Sequence, residues 1–281
     1  MKPQLQWTGK RLVYGRANVA RAYVAAPKGG GEEELEIERK FVITPAVRAR
    51  VQAAAAAAGR PPATVDFVDV YYDTPDVALG RRDMWLRRRG ATVELKWPHA
   101  AAGGRAWDGV DFYNESTDAE TIARVVRAVA KVPLAAAFAG ADGAAAVRAA
   151  ATAAVAPFAR LRTVRTRYAL RLPVADGGGL AVRVDLDAVE FLTVAPADGA
   201  APPLGVYQIG EVELAASEPE RRRDAAACLR AAFAYLGIDG AAPAVRGKVL
   251  EYLYRYRPRH YRALEDAGLL AAKLGPPSRG T

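Results

Sequence analysis

Charged side chains recur at every second position in six stretches of this chain. Glu36, Glu38 and Lys40 alternate with Leu35, Ile37, Arg39 and Phe41. Trp85, Arg87 and Arg89 alternate in the same way, as do Glu94 and Lys96, Arg165 and Arg167, the run Arg183, Asp185 and Asp187, and Glu211 and Glu213. Alternate residues of a strand share a face, so each stretch carries a charged face and, in most, an opposite face of Val, Leu or Ile. One such strand is an ordinary half-solvated strand. Six of them, with both signs of charge, point to a sheet whose apolar faces pack on helices and whose charged faces close on one another as a polar tunnel. Glu36, Glu38, Asp185, Asp187, Glu211 and Glu213 cannot share such an interior unless cations neutralise them. The chain has one cysteine, Cys228, and two histidines, His99 and His260, which excludes an ordinary zinc site. All-oxygen ligands fit Mg²⁺, with Mn²⁺ as a substitute. Arg87, Arg89, Lys96, Arg165 and Arg183 are then free to meet a polyanion, and guanidinium forks bind phosphate oxygens in pairs. The chemistry expected of this set is metal-assisted attack on a polyphosphate chain.

The elements that must position these residues follow from pattern. Strands are expected at 35–41, 66–73, 161–172, 179–191 and 206–214, and residues 84–89 and 92–97 read as a hairpin turning near Gly90. Thr44-Pro45 starts a helix that runs to Gly59, with Thr44 as its cap. Thr117-Asp118-Ala119-Glu120 reads as a capping box for a helix to about Lys131. Residues 133–157 are Ala-rich and expected to be helical, Ser217 caps a helix ending at Leu236, and two more helices span 248–257 and 258–267. Strands and helices in this order give an α+β fold with an antiparallel sheet, not a doubly wound one. No dinucleotide-binding, P-loop or G-x-S-x-G motif is present. Cys228 is expected to be an inert helix residue, and both histidines are expected at the surface.

Composition narrows the partners. The 281 residues are 51% hydrophobic with a net charge of +9, and no apolar run approaches the ~18 residues of a membrane span. Residues 1–31 hold six of the basic residues and no acid, leaving +3 for the body. A basic tail on a mildly basic body does not suggest a nucleic-acid surface. Residues 1–33 read as a basic extension, 34–270 as one domain and 271–281 as a tail. The expected location is the cytoplasm, or an organelle if residues 1–31 act as a transit peptide. A monomer acting on a small molecule is expected.

The charged stretches and their neighbours carry a resemblance. E-I-E-R-K at 36–40 matches the E-x-E-x-K signature of the CYTH superfamily, the triphosphate tunnel metalloenzymes. V-Y-Y-D-T-P at 70–75, D-M-W-L-R-R-R at 83–89 and V-E-L-K-W-P at 93–98 resemble its thiamine triphosphatase branch. T-V-R-T-R-Y at 163–168, R-V-D-L-D at 183–187, G-E-V-E at 210–213 and Lys248 ahead of Y-R-Y-R-P follow in family order. The resemblance implies a closed eight-stranded antiparallel β tunnel with a charged interior, flanked by helices. It implies that Lys40, Arg87, Arg89, Arg165, Arg183 and Lys248 bind the triphosphate and that the six carboxylates include the metal ligands. It pairs Tyr71 with Lys96 as a base dyad and places Trp85 against the organic end of the substrate. The activity implied is removal of the terminal phosphate of thiamine triphosphate. Inorganic tripolyphosphatase, adenylyl cyclase and a non-catalytic polyphosphate-binding module are the alternatives. The Gly-rich loop at 98–110 is where this chain departs most from that pattern.

Overall fold

The structure, a computed structural model, describes residues 34–99, 110–130, 155–173, 179–194, 203–214, 224–242 and 244–274. Its centre is one antiparallel sheet. The strands are β1 (Glu34–Phe41), β2 (Ala63–Asp73), β3 (Trp85–Arg89), β4 (Thr92–Pro98), β5 (Val110–Ser116), β6 (Ala156–Pro173), β7 (Gly179–Leu192) and β8 (Gly205–Leu214). The sheet order is β1-β5-β4-β3-β2-β6-β7-β8, and β1 pairs with both β5 and β8, which closes the barrel. Closure leaves no free edge and turns one face of every strand inward.

The pleat decides what goes where. Glu38 lies opposite Glu213, Lys40 opposite Glu211, Arg165 opposite Asp187 and Trp85 opposite Lys96. The charged parity is thus the interior along most of the barrel. Over much of the barrel the outward parity is apolar and is covered by helices α1 (Pro45–Ala57), α2 (Ala119–Ala130) and α3 (Ala225–Leu236), while on β2, β6 and β7 it also carries the exposed ion pairs of Arg162 with Asp66 and Glu190. Val51 and Leu229 pack with Ile37, Val184 and Val212 on one side. Ile122, Val125 and Val129 of α2 pack with Leu86, Leu95 and Trp97 on the other. Each such fully buried aliphatic side chain contributes about 1.5–3 kcal/mol.

Toward one end the inward parity itself turns apolar, at Ala159, Leu161, Val189 and Phe191. There the last helices dock: α4 (Lys248–Tyr256), α5 (Pro258–Asp266) and α6 (Leu269–Leu274). Leu250, Leu253, Leu264, Leu269 and Leu270 are buried against that end. No described helix is long and apolar enough to cross a membrane.

Several boundaries differ from the sequence reading. β5 is a strand the pattern did not reveal. β2 starts three residues earlier than expected, and β6 starts at Ala156, inside the stretch expected to be helical to 157. Asp118, not Thr117, caps α2: its carboxylate accepts from the Thr121 amide at 2.7 Å. Thr44 caps α1 as expected, accepting from Val47 N at 3.1 Å. α6 crosses the boundary expected at 270. The N-terminal extension, the expected helix over 133–154, the Ser217 cap and the tail from 275 lie outside the described residues.

Candidate active site

The barrel encloses a cavity of about 1100 Å³. On β1 and β8, one carboxylate oxygen each from Glu36, Glu38 and Glu213 lies within 4.8 Å of the others. Glu36 is ion-paired to Lys96, Glu38 to Lys40 and Glu213 to Arg183. The Glu38 carboxyl is nonetheless pushed up to about 7: burial outweighs Lys40, and Glu36 and Glu211 add repulsion. The trio shares its cations with further carboxylates, Lys40 with Asp111, Lys96 with Glu115 and Arg183 with Asp185; all its donors are oxygen, and it is buried to intermediate in exposure. Those properties fit a hard divalent cation such as Mg²⁺ or Mn²⁺.

The other three expected carboxylates have a different environment. Arg165 reaches Asp187 through Nε and Nη2, both at 2.7 Å, Asp185 through Nη1 at 2.6 Å and Glu211 at 2.8 Å. Lys248 adds a contact to Asp187 at 3.1 Å, and Arg167 one to Asp185 at 3.0 Å. Burial alone would raise the Glu211 carboxyl, but Lys248 and Arg165 hold it well below the usual range. The six carboxylates therefore form two groups, one around Arg165 and one able to receive a cation.

The cations are not free, as the sequence reading had them. Arg87 donates through Nε to Glu94 at 2.6 Å and reaches Glu115 at 3.1 Å. Arg89 grips Asp69 in a fork at 2.7 and 2.9 Å, with its guanidinium 3.8 Å over the Phe67 ring. Lys40 donates to Asp111 at 2.7 Å as well as to Glu38. Arg183 lies 3.4 Å from Asp185 in addition to Glu213. An incoming polyanion must exchange with these carboxylates, which are already desolvated and positioned.

Lys96 faces Glu36 and, at 3.2 Å, Glu115. Burial lowers its pKa, but the two glutamates outweigh both burial and Arg87, and the net shift is upward. A base dyad needs a lysine held below its usual range, and the acids on β1 and β5 act the other way. Tyr71 is buried and lies opposite Arg87, while Lys96 lies opposite Trp85, so β3 separates the two in register. Trp85 lines the cavity and donates its indole N–H to Asp83 at 3.0 Å. Arg88 points to the other face, toward the Tyr72 hydroxyl at 3.4 Å and the Gly90 carbonyl at 2.9 Å.

Sequence reasoning missed Asp111, Tyr113 and Glu115, which alternate on β5 and line the same cavity. It also missed Lys273 of α6, which reaches Asp111 at 2.9 Å and Asp83 at 3.3 Å. Asp69 and Glu94 had a visible signal, since each shares a face with an expected site residue. His260 is not a free surface residue: it packs at a tilt against Phe158, with centroids 4.4 Å apart, and lies 3.7 Å from Asp73.

Known proteins provide an independent comparison. The CYTH domain family model matches residues 34–247. The human thiamine-triphosphatase is 34% identical over 233 residues, covering 82% of this chain and 89% of that protein. The Macaca fascicularis thiamine-triphosphatase is 32% identical over the same length and shares. Among solved structures, a Bacillus halodurans protein described as a proposed adenylate cyclase is 14% identical with a TM-score of 0.42, over 80% of this chain and 98% of that one. With the family match spanning most of the chain and relatives above 30% identity over four-fifths of it, this chain belongs to the CYTH family.

Proposed function

We propose that this protein is a metal-dependent hydrolase that removes the terminal phosphate of thiamine triphosphate, giving thiamine diphosphate and phosphate. The observation that carries the reading is one strand, β3, which presents Trp85, Arg87 and Arg89 to a cavity also lined by Glu36 and Glu38, two members of the Glu36–Glu38–Glu213 trio. The two thiamine-triphosphatase relatives support the substrate class. Arg87, Arg89, Arg165, Arg183, Lys40 and Lys248 bind and orient the phosphates by exchanging carboxylate partners for phosphate oxygens. Trp85 stacks on the cationic ring system just beyond them. Glu36, Glu38 and Glu213 would hold the cation, and Mg²⁺, with Mn²⁺ as its substitute, would supply Lewis-acid neutralisation of the phosphate charge. Asp185, Asp187 and Glu211 hold Arg165 and Lys248 in place.

Lys96 and Tyr71 are the proposed proton-handling pair, with one condition set by the geometry. While Lys96 sits between Glu36 and Glu115 it is an ammonium. It can donate to a phosphate oxygen in that state, and it accepts a proton from water only after parting from those glutamates. The proposed working unit is a monomer in the cytoplasm, or in an organelle if residues 1–31 direct it there, with no nucleic-acid partner.

Phosphate release should be measured with Mg²⁺ on thiamine triphosphate, tripolyphosphate, ATP and a phosphate monoester. Preference for thiamine triphosphate is the expected result. Preference for tripolyphosphate would favour an inorganic tripolyphosphatase, and binding without release a polyphosphate-binding module. The module is disfavoured by the acidic trio, which binding of a polyanion alone does not need.

A further inference from the structure

Asp83 lies at the N-terminal end of β3, just ahead of Trp85, and nothing in the proposed chemistry needs it. It is 7% exposed and has a backbone φ of 62°. Glycine, asparagine and aspartate tolerate that left-handed conformation best, and glycine or asparagine would serve the turn without burying a charge. A buried carboxylate is costly unless it is paired and hydrogen-bonded. Asp83 is both. Its Oδ1 accepts from the Trp85 indole N–H at 3.0 Å and from the Tyr113 hydroxyl at 2.8 Å. Its Oδ2 faces Lys273 of α6 at 3.3 Å. Lys273 is itself fixed by Asp111 at 2.9 Å and lies 4.8 Å over the Tyr113 ring. Leu269 and Leu270 bury α6 in the core that carries this lysine.

An indole held by its N–H cannot turn about its attachment. Its plane is fixed before a ligand arrives, so stacking costs less ordering. We propose that Asp83, clamped by Tyr113 and by Lys273 of the last helix, is a positioning residue for Trp85 and sets the preference for triphosphates that carry a cationic aromatic group over inorganic tripolyphosphate. This rests on the substrate reading above and extends it. The specificity determinant then includes the chain's last described helix, far in sequence from the phosphate-binding strands.

Two variants test it. Asp83→Gly suits the backbone and removes the acceptor for the indole, whereas Asp83→Asn keeps an acceptor and loses the charge. Asp83→Gly should raise KM for thiamine triphosphate by about 2- to 30-fold, the range of a lost cation–aromatic contact, with kcat changed less than about twofold. Affinity for tripolyphosphate, read as turnover or as competitive inhibition, should stay within about twofold, which also reports that the protein is folded. Asp83→Asn should recover most of the loss. In a Trp85→Ala background, Asp83→Gly should add less than about twofold. Equal losses on both ligands, or full additivity with Trp85→Ala, would make Asp83 structural and overturn the inference alone. If Trp85→Ala itself leaves thiamine triphosphate untouched, the substrate reading falls and this inference with it.

Discussion

Arg87 and Arg88 are neighbours with opposite situations, and the pleat of β3 is the cause. Arg87 is 8% exposed between Glu94 and Glu115, while Arg88 faces outward to Tyr72 and Gly90. Arg87→Lys keeps the charge and loses the fork, about one charge-assisted hydrogen bond, or ~1.5–3 kcal/mol. Its kcat/KM should fall about 10- to 150-fold, while Arg88→Ala should stay within about twofold. Comparable losses at both positions would place the strand one residue out of register. Lys96 poses a different question, because Glu36 and Glu115 hold its proton. Lys96→Arg keeps a cation and cannot deprotonate. If Lys96 becomes the base, Lys96→Arg should lose kcat by at least about a hundredfold with little change in KM, and wild-type kcat should rise toward alkaline pH. Near-normal kcat in Lys96→Arg would leave the lysine as a charge-stabilising donor.

β5 supplies what the other strands lack. Asp111 takes two ammoniums, Lys40 at 2.7 Å and Lys273 at 2.9 Å, and so ties β1 to α6. Burial would raise its pKa, but Lys273 and Lys40 outweigh that and hold it well below the usual carboxylate range. A carboxyl lowered on folding stabilises the fold above its unfolded pKa, and that stabilisation fades as pH falls toward the folded one. Asp111→Asn should therefore lower stability by about 3–5 kcal/mol at pH 7, because two buried ammoniums lose their counter-charge, and the deficit should shrink as pH drops below ~4. Urea unfolding at pH 7 and pH 3 measures both. A deficit of the same size at the two pH values would contradict the ion-pair account. This strand is also the one element the sequence concealed. Seven strands were legible because Val, Leu and Ile, or aromatic residues, mark one parity. In V-D-F-Y-N-E-S the inward parity is clear at Asp111, Tyr113 and Glu115, but Asn114 and Ser116 interrupt the outward one. Ser116 is polar for a local reason: its hydroxyl accepts from Asp118 N at 3.1 Å, at the start of α2. Lys273 was hidden differently, in a helix of six residues too short to show a period. The pairing of each carboxylate was illegible too, since barrel closure, and not local pattern, sets which strands meet.

At the scale of the whole molecule, the barrel interior is organised as internal ion pairs, which in the proposed reading are the groups that receive the polyanion. Apolar clusters on the outside hold the strands, and most of the inward carboxylates are buried while Arg167 and Arg183 stay partly exposed. The interior has two unlike halves: around Arg165, Lys248 and Arg167 join that guanidinium against Asp185, Asp187 and Glu211, whereas burial, Glu36 and Glu211 hold the Glu38 carboxyl above its usual range despite Lys40. Folding builds this strain into the protein, because the unfolded chain keeps those glutamates apart and in water. A divalent cation that binds the folded trio and not the unfolded chain must then raise the stability of the entire domain. At a hundredfold excess over its Kd the gain is ~2.7 kcal/mol, which for a domain of this size is roughly 5–10 °C in Tm. Thermal unfolding of protein first stripped with EDTA, then given Mg²⁺, Mn²⁺ or Na⁺ at matched ionic strength, should show that rise with the divalent ions alone. Glu38→Gln removes one ligand and should abolish most of the rise without unfolding the barrel, since a neutral side chain suits that buried position. An equal shift in Glu38→Gln and in wild type would place the cation elsewhere in the molecule.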